Sequence, residues 1–78
     1  MNIICERIGE LIKELNITQS KMARDLETPR NTVHRWVKGQ VIPSTYNLQR
    51  ICELYDVSMD YLTGICKTRL SRKKESEE

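Results

Sequence analysis

The sequence predicts an all-α protein that folds as one compact domain of five short helices. Apolar residues recur at spacings of three and four through most of the chain, as on the buried face of an amphipathic helix. Most of these stretches follow an Asn, Ser or Thr suited to an N-cap. The chain has 78 residues, enough for one small core and too few for a second. We expect a folded domain over residues 1–65 and a charged, disordered tail over residues 66–78.

Helix 1 is predicted between Asn2 and Asn16. Asn2 can accept a hydrogen bond from a free backbone N–H group, and Asn16 tolerates the left-handed conformation that ends many helices. The apolar face between them consists of Ile3, Ile4, Ile8, Leu11, Ile12 and Leu15. We expect this face to form one wall of the core.

Helix 2 is predicted to start after Thr18, a suitable N-cap, and to stop after Leu26. Its apolar face is short and consists of Met22, Ala23 and Leu26. A small residue in the middle of this face, Ala23, leaves room for the following helix to approach closely.

Helix 3 is predicted over residues 29–38. Thr28 can cap it, Pro29 suits its first position because that N–H group would have no partner, and Gly39 can end it. Since each residue turns a helix by about 100°, one side of helix 3 carries Pro29, Val33, Trp36 and Val37. The other side carries Arg30, Asn31, His34, Arg35 and Lys38. We expect the first side, with Trp36, to be buried and the second to face outward.

The rest of the chain predicts two further helices. Val41 and Ile42 are expected to pack back onto the core before Ser44 or Thr45 caps helix 4. The apolar face of helix 4 consists of Leu48, Ile51, Cys52, Leu54 and Tyr55. Ser58 can cap a short helix 5, which contains Met59, Tyr61 and Leu62 and ends at Gly64.

Positive charge is concentrated in the segment 19–40. Five Lys and Arg residues stand there against two acidic residues, whereas acidic residues outnumber basic ones in segments 1–18 and 41–64. The tail adds the basic residues Arg69, Arg72, Lys73 and Lys74, beside three glutamates that leave simple solubility open as its role. Such local excess predicts a polyanionic partner better than the net charge of +2 does.

The cysteines, the apolar runs and the single histidine limit which other kinds of protein this chain could be. Cys5, Cys52 and Cys66 are far apart and form no CxxC pair, so we interpret them as reduced thiols of a cytoplasmic protein. A zinc site formed with His34 is the disfavoured alternative, because structural sites usually take ligands in local pairs. No run is long enough to span a membrane. With one histidine and no phosphate-binding glycine loop, we expect neither an enzyme nor a cofactor.

Residues 7–64 resemble the five-helix DNA-binding domain of phage repressors and Cro proteins, the XRE family. The resemblance covers 58 of the 78 residues and depends on joint spacing rather than on one short motif. Its residues are Leu15-Asn16-Ile17-Thr18-Gln19, Met22-Ala23, Val33, Arg35-Trp36, Gly39, Pro43-Ser44, Leu48 and Asp56-Val57-Ser58-Met59-Asp60-Tyr61-Leu62. Helices 2 and 3 correspond to the helix-turn-helix of that family.

The resemblance implies a sequence-specific transcriptional regulator, most simply a phage-type repressor, that binds double-stranded operator DNA as a homodimer. By position, Arg30, Asn31 and Arg35 are similar to the base-contacting residues of the family, and arginine and asparagine suit guanine and adenine edges. His34 is a further base-contact candidate, with a phosphate contact or a solvated ring left open. The phosphate-contact candidates are Gln19, Lys21, Thr32 and Lys38.

Two departures and two alternatives accompany this resemblance. Glu27 stands where the family commonly has Gly, so either it adopts a left-handed backbone or the corner is altered. Ile12 and Val37 replace an Arg–Glu pair found in many members, an apolar exchange of both partners that avoids an unpaired charge. A dimer surface or completion of the core is open for Tyr55, Val57, Met59, Tyr61 and Ile65. A protein-interaction module, such as an antitoxin-like protein, is the alternative function.

Overall fold

The computed structural model describes residues 2–65, which form five α-helices in the predicted order. Their bounds are α1 Ile3–Leu15, α2 Gln19–Leu26, α3 Arg30–Val37, α4 Thr45–Tyr55 and α5 Met59–Thr63. The all-α class is therefore confirmed. The predicted tail, with its basic cluster and Cys66, lies outside the described residues.

Four of the helices begin at a side-chain cap. The caps are Asn2, Thr18, Ser44 and Ser58, each of which accepts a hydrogen bond from a first-turn backbone N–H group. The start of α3 differs from the prediction, because Pro29 is itself the N-cap and provides no side-chain acceptor. Thr28 does not cap α3, because no side chain accepts a hydrogen bond at the start of that helix. The backbone N–H of Thr28 donates to Ala23 O at 2.9 Å and closes α2. The Pro29 side chain is exposed rather than buried.

Each of these five helices is followed by a residue in the left-handed conformation. These residues are Asn16, Glu27, Gly39, Asp56 and Gly64. At the corner between α2 and α3, Glu27 has φ 57° and ψ 47°, and its N–H donates to Arg24 O at 3.1 Å. Of the two possibilities for Glu27, the left-handed backbone is the one observed, and the corner keeps the ordinary closing geometry of a helix.

Substitution of Glu27 by glycine should stabilise the protein. A left-handed backbone costs a side-chain-bearing residue about 1–2 kcal/mol, while glycine loses more freedom on folding, by roughly 0.5–1 kcal/mol. We therefore expect Glu27→Gly to raise the free energy of unfolding by about 0.5–1 kcal/mol, measured by urea denaturation. Glu53→Gly, at an exposed position inside α4, is the control and should destabilise. A loss of stability in Glu27→Gly would show that the carboxylate contributes more than the backbone strain costs.

The core lies between the α2–α3 pair and the other three helices. α2 packs chiefly against α3, α1 packs on α3 and α5, and α4 packs on α2 and α5. Trp36 is 1% exposed and confirms the prediction that it is a core residue. The other fully buried large side chains are Ile8, Leu11, Met22, Ile51, Leu62, Val33 and Cys5. This packing fixes how α3 is rotated about its own axis.

Several apolar residues lie where the sequence did not predict them. Val41 and Ile42 are 43% and 52% exposed instead of packing on the core. Pro43 is buried in their place, after Gln40 N–H closes α3 by donating to Arg35 O at 2.9 Å. On α1 and α4, Ile3 and Leu54 are exposed, because Ile3 lies about 150° and Leu54 about 90° from the centre of the buried stripe of its helix.

Burial in the second half of the chain shows which of the candidate dimer-surface residues belong to the core. Val57 and Tyr61 are almost fully buried and complete the core, so they cannot form a dimer surface. Met59 is half-buried and Ile65 is exposed. The Tyr61 ring also carries the Arg7 guanidinium 4.5 Å from its centroid, which ties α5 to α1.

Gly9 lies inside α1 where that helix faces α3, and its replacement by alanine should stabilise the fold. A Cβ at this position would lie 3.9 Å from Val37 Cγ1, an ordinary van der Waals contact. Alanine is the better helix former by about 1 kcal/mol, so we expect Gly9→Ala to raise the free energy of unfolding by that amount. Gly64→Ala is the contrasting variant, because φ is 90° there and a Cβ would lie 2.9 Å from Ile3 Cγ1. Thermal unfolding of both variants should give shifts of opposite sign.

Candidate nucleic-acid interface

One side of α3 is exposed along its whole length. Arg30, Asn31 and Arg35 are exposed there, while Val33 and Trp36 on the opposite side are buried. Lys38 follows at the exposed end of the helix, and Thr32 and His34 are half-buried at its margins. The structure thus presents two arginines and an amide on a helix whose rotation is fixed by the core.

The start of α2 lies beside this side of α3. An open groove of about 660 Å³ is lined by Thr18, Gln19 and Ser20 from α2 and its cap, and by Arg30 and His34 from α3. A smaller groove of about 270 Å³ is lined by Arg30, Asn31 and His34. Gln19, Arg30, Asn31 and His34 are therefore brought together, whereas Lys21, Thr32, Arg35 and Lys38 line neither groove.

A hydrogen bond joins the two helices within the larger groove. The Gln19 side-chain oxygen Oε1 lies 3.1 Å from His34 Nδ1. Because an amide oxygen can only accept, this contact requires His34 Nδ1 to carry the hydrogen. The sequence does not predict this pair, since the two residues are 15 positions apart and belong to different helices.

Lys21, a predicted phosphate contact, already has a partner on its own helix. Its Nζ lies 2.9 and 3.0 Å from the two carboxylate oxygens of Asp25, one turn further along α2. The lysine side chain is 48% exposed, and such solvated pairs contribute little stability. A phosphate contact by Lys21 would therefore have to compete with Asp25, and the attraction between these groups is weak enough to allow it.

Asp25 also connects α2 to α4, which the sequence did not predict. The Tyr55 hydroxyl donates to Asp25 Oδ2 at 2.7 Å, and Arg50 Nη2 donates to Asp25 O at 3.3 Å. The hydrogen bond from Lys21, followed by that from Tyr55, lowers the pKa of the Asp25 carboxyl. Burial, together with the bond to Asp25, raises the pKa of the Tyr55 hydroxyl well above its usual value. These contacts hold α2 against the body of the domain.

Tyr55→Phe should destabilise the protein in a pH-dependent way. We expect a loss of about 1.5 kcal/mol at pH 7, the lower end for a hydrogen bond to a charged group, because Asp25 keeps Lys21 as a partner. The lowered pKa of Asp25 means that this contribution is complete above the ordinary aspartate pKa of about 3.9 and is lost as the pH falls below it. Urea denaturation at several pH values should show the difference between wild type and Tyr55→Phe shrinking in acid. A difference that does not change with pH would exclude the carboxylate as the acceptor.

Three further features of residues 2–65 concern membrane spans, metal sites and cysteine. The described helices include none that is long and apolar enough to cross a membrane. Within the same residues, no three His, Cys, Asp or Glu side chains are grouped so as to hold a metal ion. Cys5 is buried, its thiol donates to Val41 O at 3.5 Å, and burial raises the pKa of that thiol.

A family model matches most of the chain, and several known proteins are similar to it. The helix-turn-helix family model matches residues 8–62. An uncharacterized HTH-type transcriptional regulator of Haemophilus influenzae is 38% identical over 74 residues, 94% of this chain and 29% of that protein. The mycobacterial cidal antitoxin MbcA of Mycobacterium tuberculosis is 30% identical over 54 residues, 69% of this chain and 48% of the antitoxin. The cryptic phage CTXphi transcriptional repressor RstR of Vibrio cholerae is 30% identical over 61 residues, 78% of this chain and 54% of the repressor. No solved structure matches the chain significantly.

Proposed function

Because the chain belongs to the helix-turn-helix family, we propose that it is a sequence-specific transcriptional regulator that contacts an operator half-site with α3 in the major groove. Membership of the family confirms the predicted DNA-binding class and the prediction that the chain is not an enzyme. The observation that carries the proposal is the exposed side of α3 with Arg30, Asn31 and Arg35. An α-helix of this kind fits the major groove, where every base pair presents a distinct pattern of donors and acceptors.

The proposed contacts fall into two groups with different tasks. Arg30, Asn31 and Arg35 contact base edges and distinguish one base pair from another. His34 lies beside Arg30 and Asn31 in the smaller groove. The phosphate contacts, from Gln19, Lys21, Thr32 and Lys38, fix the orientation of the domain on the duplex and carry no sequence information themselves. The start of α2 favours a phosphate because its backbone N–H groups point outward there. The groove between Gln19 and Arg30 supports this division, since it joins the two groups.

A repressor of phage or prophage type is the form of regulator we favour. The similarity to the transcriptional repressor RstR supports this form. A small domain can repress simply by occupying a promoter, which requires only affinity and specificity. We also propose that the chain acts in the cytoplasm, because cysteines stay reduced there and the DNA target lies in the same compartment.

We further propose that the chain binds its operator as a homodimer. Exposed apolar side chains on α4 and after α5, Leu54 and Ile65, together with half-buried Met59, support a self-association surface. A symmetric dimer would place its half-sites about 10 bp apart, one turn of the duplex. Light scattering on the free and DNA-bound chain, with Leu54→Lys as the variant, tests this part of the proposal separately from DNA binding.

Selection of bound DNA from a random-sequence pool at low salt tests the proposed function. We expect enrichment of one motif, and inverted repeats in it would report a dimer. Phosphate contacts also predict a steep loss of affinity with rising salt. Failure to enrich any motif would contradict a sequence-specific regulator, even if weak binding to all sequences remained.

A protein-interaction module is the second candidate function, and the similarity to the antitoxin MbcA favours it. On this proposal the chain binds a partner protein, and its DNA affinity is weak and independent of sequence. The concentration of basic residues in segment 19–40 opposes this as the sole function. Capture of a protein partner by a chain that enriches no DNA motif would favour the second candidate over the first.

A further inference from the structure

We infer that His34 is a positioning residue, which holds the Gln19 side chain so that its amide NH₂ group faces a DNA phosphate. The DNA part of this inference rests on the proposed function, whereas the contact between the two residues does not. Gln19 is the first residue of α2, and its Oε1 is engaged by His34 Nδ1 at 3.1 Å. His34 lines both grooves on this surface and therefore stands between the phosphate-contacting and the base-contacting residues.

The chemistry of the amide explains why such a partner is useful. A free glutamine side chain can present either its oxygen or its NH₂ group, and only the NH₂ group can donate to an anionic phosphate. With Oε1 accepting from the imidazole, the two N–H donors are the groups left to contact DNA. The glutamine is also ordered before DNA arrives, which lowers the entropy cost of binding.

The position of His34 in the fold makes it a suitable support. Its neighbour on α3, Val33, is fully buried, and the imidazole itself is half-buried. In the tautomer with hydrogen on Nδ1, a neutral imidazole has an acceptor at Nε2, which a phosphate would repel. In this tautomer His34 acts through Gln19 and not as a phosphate contact of its own.

The tautomer of His34 in the free protein is the first test. Long-range ¹H–¹⁵N correlation spectra of the chain, recorded at a pH where the ring is neutral, should show hydrogen on Nδ1. This is the tautomer that a free imidazole disfavours, so the Gln19 contact should be its cause. Gln19→Met should return the ring to the Nε2–H tautomer. An Nε2–H ring in the wild-type chain would overturn the inference without any reference to DNA.

A double-mutant cycle with the selected operator is the second test. His34→Phe keeps a ring without the donor, and we expect it to weaken operator binding about fivefold, the fold-change that corresponds to one ordinary hydrogen bond. Gln19→Met should weaken binding by at least as much, and the double variant should lose no more than Gln19→Met alone. His34→Asn is the matched control, because its amide can donate near the position of Nδ1 and should restore part of the affinity.

The selected motif distinguishes this role from direct base contact. Because phosphate contacts carry no sequence information, His34→Phe should enrich the same motif as the wild type. Relaxed preference at one base pair, or losses that add in the double variant, would overturn the inference and assign His34 a contact of its own. Absence of DNA binding by a wild-type chain whose ring carries hydrogen on Nδ1 would contradict the proposed function and the phosphate role, and would leave the Gln19–His34 contact established.

Discussion

Trp36→Ala should lower the free energy of unfolding by about 3–5 kcal/mol, the range for truncation of a buried aromatic residue. Trp36 is the largest fully buried side chain in residues 2–65, and α3, which carries it, packs against both α1 and α2. Its removal leaves a cavity that helices of only eight residues, such as α2 and α3, cannot close without moving. Since small domains have limited stability, we expect Trp36→Ala to be largely unfolded at 37 °C. Circular dichroism during urea and thermal denaturation measures this effect.

The control for this variant is Tyr46→Ala, which removes an exposed aromatic side chain from α4. It should change the free energy of unfolding by less than about 0.5 kcal/mol. Trp36→Phe should give an intermediate loss, because it keeps part of the buried volume. A loss below about 1 kcal/mol for Trp36→Ala would contradict the burial of this side chain, because core truncations of this size cost several times more. It would also remove the basis for the rotation of α3 that exposes Arg30, Asn31 and Arg35.

The ends of the helices could be predicted from the sequence because their determinants are local. Asn2, Thr18 and Ser58 cap the helices that their positions predicted, and Asn16, Gly39 and Gly64 end them. In each case the hydrogen-bonding groups lie within a few residues of one another, so spacing alone identifies them. The sequence predicts Pro29 one residue too far into α3, because its backbone is extended, with ψ 144°, and its carbonyl accepts from Thr32 N–H at 3.0 Å as that of an N-cap does.

The contacts between helices could not be predicted in the same way. The sequence predicts Tyr55 on an apolar face or a dimer surface, yet its hydroxyl donates to Asp25, 30 positions away. Gln19 and His34 were each predicted as DNA contacts, but nothing in their spacing indicated that they bond to each other. Such pairs depend on how α2 crosses α3 and approaches α4, which is a property of the packed core. The predicted burial of Val41 and Ile42 is wrong for a related reason. Hydrophobicity alone does not show which loop residue the core can accept.

The corner at Glu27 connects a local helix end with the packing of one helix against another. Its left-handed backbone is a local property, yet it sets the direction in which α3 leaves α2 and hence the side that Arg30 and Asn31 occupy. The structure shows that this left-handed corner forms without a glycine. The proposed operator contacts therefore require Glu27 only for its backbone, and Glu27→Gly should leave the selected motif unchanged while it raises stability.

Arg35→Ala should weaken binding to the selected operator by about 1–3 kcal/mol and relax preference at one base pair, as expected for loss of a bidentate contact to guanine. Arg35 is exposed on the side of α3 opposite the buried Val33 and Trp36, so its removal should not affect folding. Fluorescence anisotropy with the operator and with single-base variants measures both effects. Arg24→Ala, an exposed arginine of α2 that lines neither groove, is the matched control and should retain the motif.

Arg35→Lys distinguishes the two possible roles of this arginine. Lysine keeps the positive charge but lacks the planar pair of N–H donors that matches guanine O6 and N7. If Arg35 contacts a base, Arg35→Lys should lose nearly as much operator affinity as Arg35→Ala. If Arg35 contacts a phosphate, Arg35→Lys should retain most of the affinity. Arg35→Ala should then weaken binding to all DNA sequences alike, and the slope of log affinity against log salt concentration should fall by about one. The second pattern would leave Arg30 and Asn31 as the base-contacting residues and move Arg35 to the group that orients the domain.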